Sequence, residues 1–281
     1  MKKLPIIVRN CLRDYQALLK ESLPGMVEGI YVHGSIALDA YVPGKSDVDF
    51  LTVLKRECTN KDLERLSNLH RKIEKKYDAP MLDGGYIRWE GVDDTHSSKL
   101  CPYYNDGELQ LSHFYNPITA WILRTKGITI TGPDIQSVPL AITSRQLIAY
   151  VERNMNEYWA VRTKEVEDSR NHFLGLRDDE IDAEIEWCVL GLLRQYYTLR
   201  EQKIISKAGA GHYGLKHVDA KWHSLITHAL NVRNKSSAFR SIPKNERVAL
   251  LIGFNKDLIQ SSIGETHYTK VGKEFDYNYE G

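Results

Sequence analysis

The sequence predicts an α/β domain, a mixed sheet with helices, followed by an α-helical bundle domain. Three observations carry this prediction. Strand-like apolar runs alternate with amphipathic helical periods as far as Pro139. Beyond Pro139 strand signals stop and long helical periods take over. A chain of 281 residues is long enough for two ordinary domains. The expected division is 1–139, 140–264 and a polar, Tyr-rich tail at 265–281.

In order along the chain, Val8, Cys11, Leu12, Tyr15, Leu18, Leu19 and Leu23 follow helical spacing, and Pro24-Gly25 closes that helix. Val27 to His33 is strand-like and runs into Gly34-Ser35. After Ile36 to Tyr41 and the turn Pro43-Gly44-Lys45-Ser46, Asp47 to Leu54 alternates and then becomes continuously apolar, the texture of a buried strand. Asn60 to Lys76 is a charged amphipathic helix, with the basic run Lys72 to Lys76 on its solvated face, and Pro80 to Trp89 is a third strand. Ile118 to Arg124 is a short helix, followed by a strand from Gly127 to Pro133. Helices are then expected over Arg145–Val166, Asp179–Gln202, Asp219–Asn231 and Ile242–Leu258. In the second of these, Ile181, Ile185, Val189, Leu192 and Tyr196 share a face. The tail from Glu265 onward has no period.

Composition narrows the function classes. A hydrophobic share of 42% with 27% charged residues excludes a disordered or collagen-like chain. Lys and Arg number 38 against 37 Asp and Glu, so the net charge of +1 offers no global attraction to nucleic acid or an anionic membrane, and neither is expected as a partner. Any phosphate chemistry must rest on a local site. Cys11, Cys58, Cys101 and Cys188 show no CxxC pair, and His212, His217, His223 and His228 recur at spacings that do not make a helical metal face. The basic, then apolar start at Met1 is broken by Arg9-Asn10 before a signal peptide could form, and no run of 18 uncharged apolar residues occurs. A reduced, cytoplasmic protein is expected.

The feature that carries chemistry is Gly34-Ser35, ten residues, then Ser46-Asp47-Val48-Asp49-Phe50. Carboxylates at i and i+2 of a strand leave the same face, so Asp47 and Asp49 converge while Val48 turns into the core. Like charges so close repel unless a cation lies between them, and hard oxygen ligands in this pattern suit Mg²⁺. The Gly-Ser turn offers backbone N–H groups and a hydroxyl where a phosphate can approach closely. Neither a Walker A loop nor a GxGxxG motif is present.

The block His33-Gly34-Ser35 with Ser46-Asp47-Val48-Asp49-Phe50 resembles the signature of the nucleotidyltransferase superfamily. A helical second domain containing Val189-Leu190-Gly191-Leu192-Leu193-Arg194-Gln195-Tyr196-Tyr197 and then Lys203-Ile204-Ile205-Ser206-Lys207 is similar to the aminoglycoside adenylyltransferases of the streptomycin and spectinomycin group. The likeness spans most of residues 27 to 235. It implies transfer of AMP from ATP to a hydroxyl of an aminoglycoside or aminocyclitol, with Mg²⁺ on Asp47 and Asp49. Gly34, Ser35 and Ser46 would lie against the nucleotide, and Arg194 and Lys207 would bind its β- and γ-phosphates. A third carboxylate on the next strand would be the base. Asp83 stands there, where the antibiotic-modifying members carry Glu followed by β-branched residues rather than Gly84-Gly85. Glu90 is the reserve, and Asp83 also reads as a turn residue.

A cationic acceptor calls for an acidic, partly aromatic lining. Glu184, Glu186 and Trp187, in the acidic stretch from Asp178, occupy the region where the family's helical domain meets its antibiotic. Acids in a first helical turn are also ordinary partners of the helix dipole. Phe114, Tyr115 and Trp121 read as core. Two other readings stay open: a nucleotidyltransferase acting on a protein or RNA end, and a nucleotide-binding sensor that has lost its base.

Overall fold

The computed structural model describes residues 4–77, 81–92, 99–236 and 242–274, with side chains of the last helix described as far as Ser262. Met1 to Lys3 of the start read for a signal peptide, Pro80 of the third expected strand and the end of the tail after residue 274 lie outside the described residues. Two compact units divide the chain, Met1–Thr143 and Ser144–Gly281, where the sequence puts the division at Pro139.

The first unit runs α1 (Ile6–Ser22), β1 (Val27–Val32), α2 (Gly34–Ala37), β2 (Val48–Leu54), α3 (Asn60–Tyr77), β3 (Leu82–Ile87), α4 (Trp89–Val92), β4 (Cys101–Asn105), β5 (Glu108–Ser112), α5 (Pro117–Lys126) and β6 (Ile128–Thr131). Its sheet has the order β5-β4-β3-β2-β1-β6. It is mixed: β2 and β3 are parallel, with Asp49 opposite Asp83, and the remaining pairs are antiparallel. The hairpin of β4 and β5 has no counterpart in the sequence reading, because its strands are short and partly polar. It turns at Asp106-Gly107, both at positive φ, a dipeptide suited to a two-residue hairpin loop.

Period-2 alternation splits the strands' side chains between two faces. One face packs Val48, Phe50, Leu82 and Tyr86 against Cys11, Tyr15 and Leu19 of α1 and Leu66, Leu69 and Ile73 of α3. Inside this layer the Tyr15 hydroxyl meets Thr52 Oγ1 at 2.8 Å and Tyr86 at 3.1 Å, and Tyr86 in turn meets His70 Nε2 at 2.8 Å. The His70 ring stacks on Tyr104 with centroids 3.6 Å apart. The other face gathers Tyr31, Leu51, Val53 and Ile87 with Leu123 of α5 and Ile135. Asp49, Asp83, Tyr103 and Asn105 leave the sheet on this second face, by alternation with the buried residues of the first.

The second unit contains α6 (Ser144–Asn154), a π-helical turn (Met155–Trp159), α7 (Ala160–Asp168), α8 (Arg170–Gly175), α9 (Asp178–Glu201), α10 (Lys207–His217), α11 (His223–Arg233) and α12 (Lys244–Glu274). Helix α9 is its axis, packed by α6, α10, α11 and α12. Ile181, Ile185, Val189, Leu192 and Tyr196 are all buried on it, as the shared face requires. In this unit, too, the structure departs from the sequence expectation. The helix expected over Arg145–Val166 runs without interruption from Ser144 to Asp168 but contains a π-helical turn, α10 is hidden in the sequence by its glycines, and α12 continues through Glu265 to Glu274.

Candidate active site

The site is built where β1 ends. His33 N donates to Asp49 O at 3.0 Å, which carries the β1–β2 pairing one residue past the strand and sets Gly34 beside the Asp49 side chain. Gly34 has φ +57°, and a Cβ there would fall 1.8 Å from Asp49 Oδ2. The carboxylate instead accepts from Ser35 N at 3.3 Å. Ser46 Oγ accepts from Val42 N at 3.1 Å and closes the turn that leads into Asp47. Asp47 is exposed and Asp49 half-buried, with Val48 buried between them.

Asp83 stands beside Asp49 on the neighbouring parallel strand. Its Oδ1 accepts from Tyr103 OH at 2.8 Å and its Oδ2 from Asn105 Nδ2 at 2.8 Å. Burial pushes the Asp83 carboxyl up to about 6; the charge of Asp49 adds to this, Tyr103 and Asn105 oppose it, and Asp47 raises it further. Asp83 thus senses both Asp49, beside it on the sheet, and Asp47, which stands just before β2. Glu90 lies past the opposite end of β3, exposed, with Arg88 Nη2 at 2.7 Å.

Gly84-Gly85 follows from packing. A Cβ on Gly84 would meet the Phe50 carbonyl oxygen at 1.9 Å, and one on Gly85 would meet the Phe114 ring at 2.3 Å. Side chains at these two positions are excluded by the neighbouring strand and by an aromatic ring, not by the loss of a base.

The donor set fits a hard divalent cation bound together with a nucleotide. Among the described residues no group of three His, Cys, Asp or Glu side chains is placed to hold a metal alone. Two carboxylates with phosphate oxygens completing the shell are the usual arrangement for Mg²⁺. Beside them, Ser35 Oγ and His33 Nε2 are shielded from solvent with no hydrogen-bond partner among the described residues, as expected of groups awaiting a polar ligand. Burial pushes His33 down to about 4, so its ring is neutral. A separate cavity of about 380 Å³ opens at the far end of β2 and β3, lined by Arg56, Arg88, Lys99 and Phe114 among others, and none of the three carboxylates reaches it.

In the second unit, Arg194 Nε donates to Ile205 O at 3.1 Å, which ties α9 to the loop that starts α10. Ser206 caps α10 by accepting from Gly209 N at 3.1 Å, and Lys207 is its first residue, where the helix end favours anions. Lys207 Nζ lies 3.9 Å from Glu186 Oε1. Glu184 and Trp187 line an open pocket with Tyr158 and Arg162. There Glu184 Oε1 receives Arg162 Nη2 at 2.8 Å and the Cys188 thiol at 3.2 Å. Glu186 points elsewhere: it is buried and takes Arg233 Nη1 at 2.9 Å.

Tyr103 and Asn105 are the site residues that the sequence reading misses. The signal that could reveal them is Asp106-Gly107 between Cys101–Asn105 and Glu108–Ser112, a turn dipeptide flanked by two short alternating runs.

Comparison with known proteins supports both halves. Residues 13–79 match the nucleotidyltransferase domain family, and residues 158–254 match the aminoglycoside adenylyltransferase C-terminal domain family. No curated relative matches the chain. Among solved structures, the spectinomycin adenyltransferase from Enterococcus faecialis, crystallised with ATP and spectinomycin, has a TM-score of 0.66 and 18% identity, covering 90% of this chain and 99% of its own. A likeness at this identity shows a shared fold.

Proposed function

Because the chain belongs to the aminoglycoside adenylyltransferase family of the nucleotidyltransferase superfamily, we propose that it transfers AMP from ATP to a hydroxyl of an aminoglycoside or aminocyclitol and releases pyrophosphate. The observation that carries this reading is Asp83 beside Asp49 on one sheet face, next to the Gly34-Ser35 turn.

Asp83 is the base. Its carboxylate takes the proton of the acceptor hydroxyl as that oxygen attacks the α-phosphorus, and the bond to the bridging oxygen of pyrophosphate breaks. Burial and the neighbouring carboxylates raise its proton affinity toward the useful range, which supports the role. Asp47 and Asp49 would hold Mg²⁺, which when bound offsets negative charge on the triphosphate and the leaving pyrophosphate. Gly34 lets the backbone approach the nucleotide and Ser35 offers it a hydroxyl, while the Ser35 N–H holds Asp49 and Ser46 fixes the turn carrying Asp47. Arg194 and Lys207 bind phosphate oxygens, the lysine supported by its place at the start of α10. Glu184 and Trp187 meet the cationic acceptor, and Glu186 acts on Lys207.

The test is pyrophosphate release with ATP and Mg²⁺ against streptomycin, spectinomycin and other aminoglycosides, for the native chain and for Asp49→Asn and Asp83→Asn. Release that depends on a small acceptor and is lost in both variants is the expected result. Release with a protein or RNA end instead, or ATP binding without turnover for any acceptor, overturns it.

A further inference from the structure

The hydrogen bonds to Asp83 mark two further residues of the machinery. We propose that Tyr103 and Asn105 are positioning residues, which hold the Asp83 carboxylate in the orientation from which it takes the acceptor proton. The inference rests on Asp83 as the base.

The register makes the arrangement. Gly84 pairs with Tyr104 and Gly85 with Tyr103 in the antiparallel β3–β4 ladder, so Asn105 falls beside Asp83 on the same face. On the other side of Asp83, β2 contributes Asp49. The base is therefore flanked by a proposed metal ligand and by a neutral donor. Tyr103 and Asn105 each take one of its oxygens, both at 2.8 Å.

A carboxylate on a strand turns freely about its last bond, and only some of those orientations aim a lone pair at an incoming hydroxyl. One donor on each oxygen fixes that angle. Each oxygen keeps a further lone pair, so the grip does not consume the site that accepts the proton. Both donors are uncharged, so they hold the carboxylate without the full neutralisation that an Arg or Lys partner would bring. Tyr103 keeps its own proton: burial and the adjacent Asp83 charge push its hydroxyl well above its ordinary range.

The donors are themselves held. The Tyr103 ring stacks on Phe114 with centroids 5.3 Å apart and planes within 1° of parallel. Phe114 reaches that place because Gly85 has no side chain in its way. Asn105 is fixed by the tight turn at Asp106-Gly107, with Glu108 as its partner on β5. Gly85, Phe114, Tyr103 and Asp83 thus form a chain of contacts from backbone to base, the kind of outer support that sets the direction of a reacting group.

The experiment measures kcat and the KM for ATP of the full chain for Tyr103→Phe, Asn105→Ala and the double variant, with thermal unfolding alongside. Each is repeated in the Asp83→Asn background by single-turnover assay of adenylylated acceptor. The expected result is a kcat lower by about 10-fold for each single variant and about 100-fold for both, with the KM for ATP within about 2-fold of native. In the Asp83→Asn background neither substitution lowers the rate further. Native kcat in the double variant overturns the proposal, as does an equal further loss in the Asp83→Asn background, which would mark a merely structural role. If Tyr103→Phe fails to fold, Asn105→Ala and Asn105→Asp decide by the same two criteria. A native rate in Asp83→Asn itself overturns the assignment of the base, whereas a dead Asp83→Asn beside fully active Tyr103→Phe and Asn105→Ala overturns the positioning alone.

Discussion

The Asp49 carboxylate occupies the space that a side chain on Gly34 would need: a Cβ at Gly34 would fall 1.8 Å from Oδ2 and 2.2 Å from Cγ. Gly34 also has φ +57°, a conformation that costs other residues about 1–2 kcal/mol. Gly34→Ala is therefore expected to turn the Asp49 carboxylate out of place and lower kcat/KM for adenylyl transfer by about 100-fold or more. Far-UV circular dichroism should stay native, because the change lies at a strand end. An active Gly34→Ala enzyme would show that the close approach is not required.

His70 gives the first unit a pH-dependent stability. It is buried beside Tyr86 and Tyr104, and burial pushes it down to about 3. A histidine whose folded value lies below its unfolded value of about 6.5 binds protons more readily when unfolded. Its stabilisation is complete above about pH 6.5 and is lost as pH falls from there toward 3. Between pH 6.5 and 5 the loss from this residue should be about 2 kcal/mol. His33, pushed down to about 4, acts in the same direction. Urea unfolding at pH 7 and pH 5 should give a shallower dependence for His70→Gln than for the native chain, and an unchanged slope would refute the assignment.

Glu186 and Arg233 are a buried ion pair at 2.9 Å in the second unit, each only about one-twentieth exposed. Glu186→Ala removes a buried carboxylate that Arg233 and Lys207 share, and should destabilise the chain by about 3–5 kcal/mol. The double variant Glu186→Gln, Arg233→Met should recover part of that loss, since the buried Arg233 charge goes with its partner and Lys207 is partly open to solvent. Guanidinium unfolding distinguishes this from a role limited to ligand contact, for which Glu186→Ala would leave the unfolding midpoint unchanged.

Local periodicity made much of the fold legible. The i, i+2 spacing of Asp47 and Asp49 marks the start of a strand, which begins at Val48 between them, and the buried stripe on α9 can be read from Ile181 to Tyr196. The β4–β5 hairpin is not legible, because a five-residue strand containing Pro102 and Asn105 carries too little apolar alternation. With it went Tyr103 and Asn105.

The acidic stretch at the start of α9 shows the opposite limit. Glu184 and Glu186 look equivalent in sequence, but two positions on a helix are about 200° apart around the axis. One carboxylate meets Arg162 at an open pocket, and the other is buried against Arg233. Similarly, Asp83, which the sequence names as the base only through the family resemblance, gains its place from the parallel pairing of β2 and β3, which sets it opposite Asp49, 34 positions earlier in the chain.

By itself the sequence determined the order of an α/β part and a helical part, the Gly34-Ser35 break after the first strand and the i, i+2 spacing of Asp47 and Asp49 at the start of the second, all consequences of patterns a few residues long. Only the tertiary structure decided which carboxylate stands beside them, which donors hold it, and why Gly84-Gly85 replaces bulkier residues. Those answers depend on strand register and on the space a distant aromatic ring occupies, which are properties of packing between segments and leave no mark on any one of them.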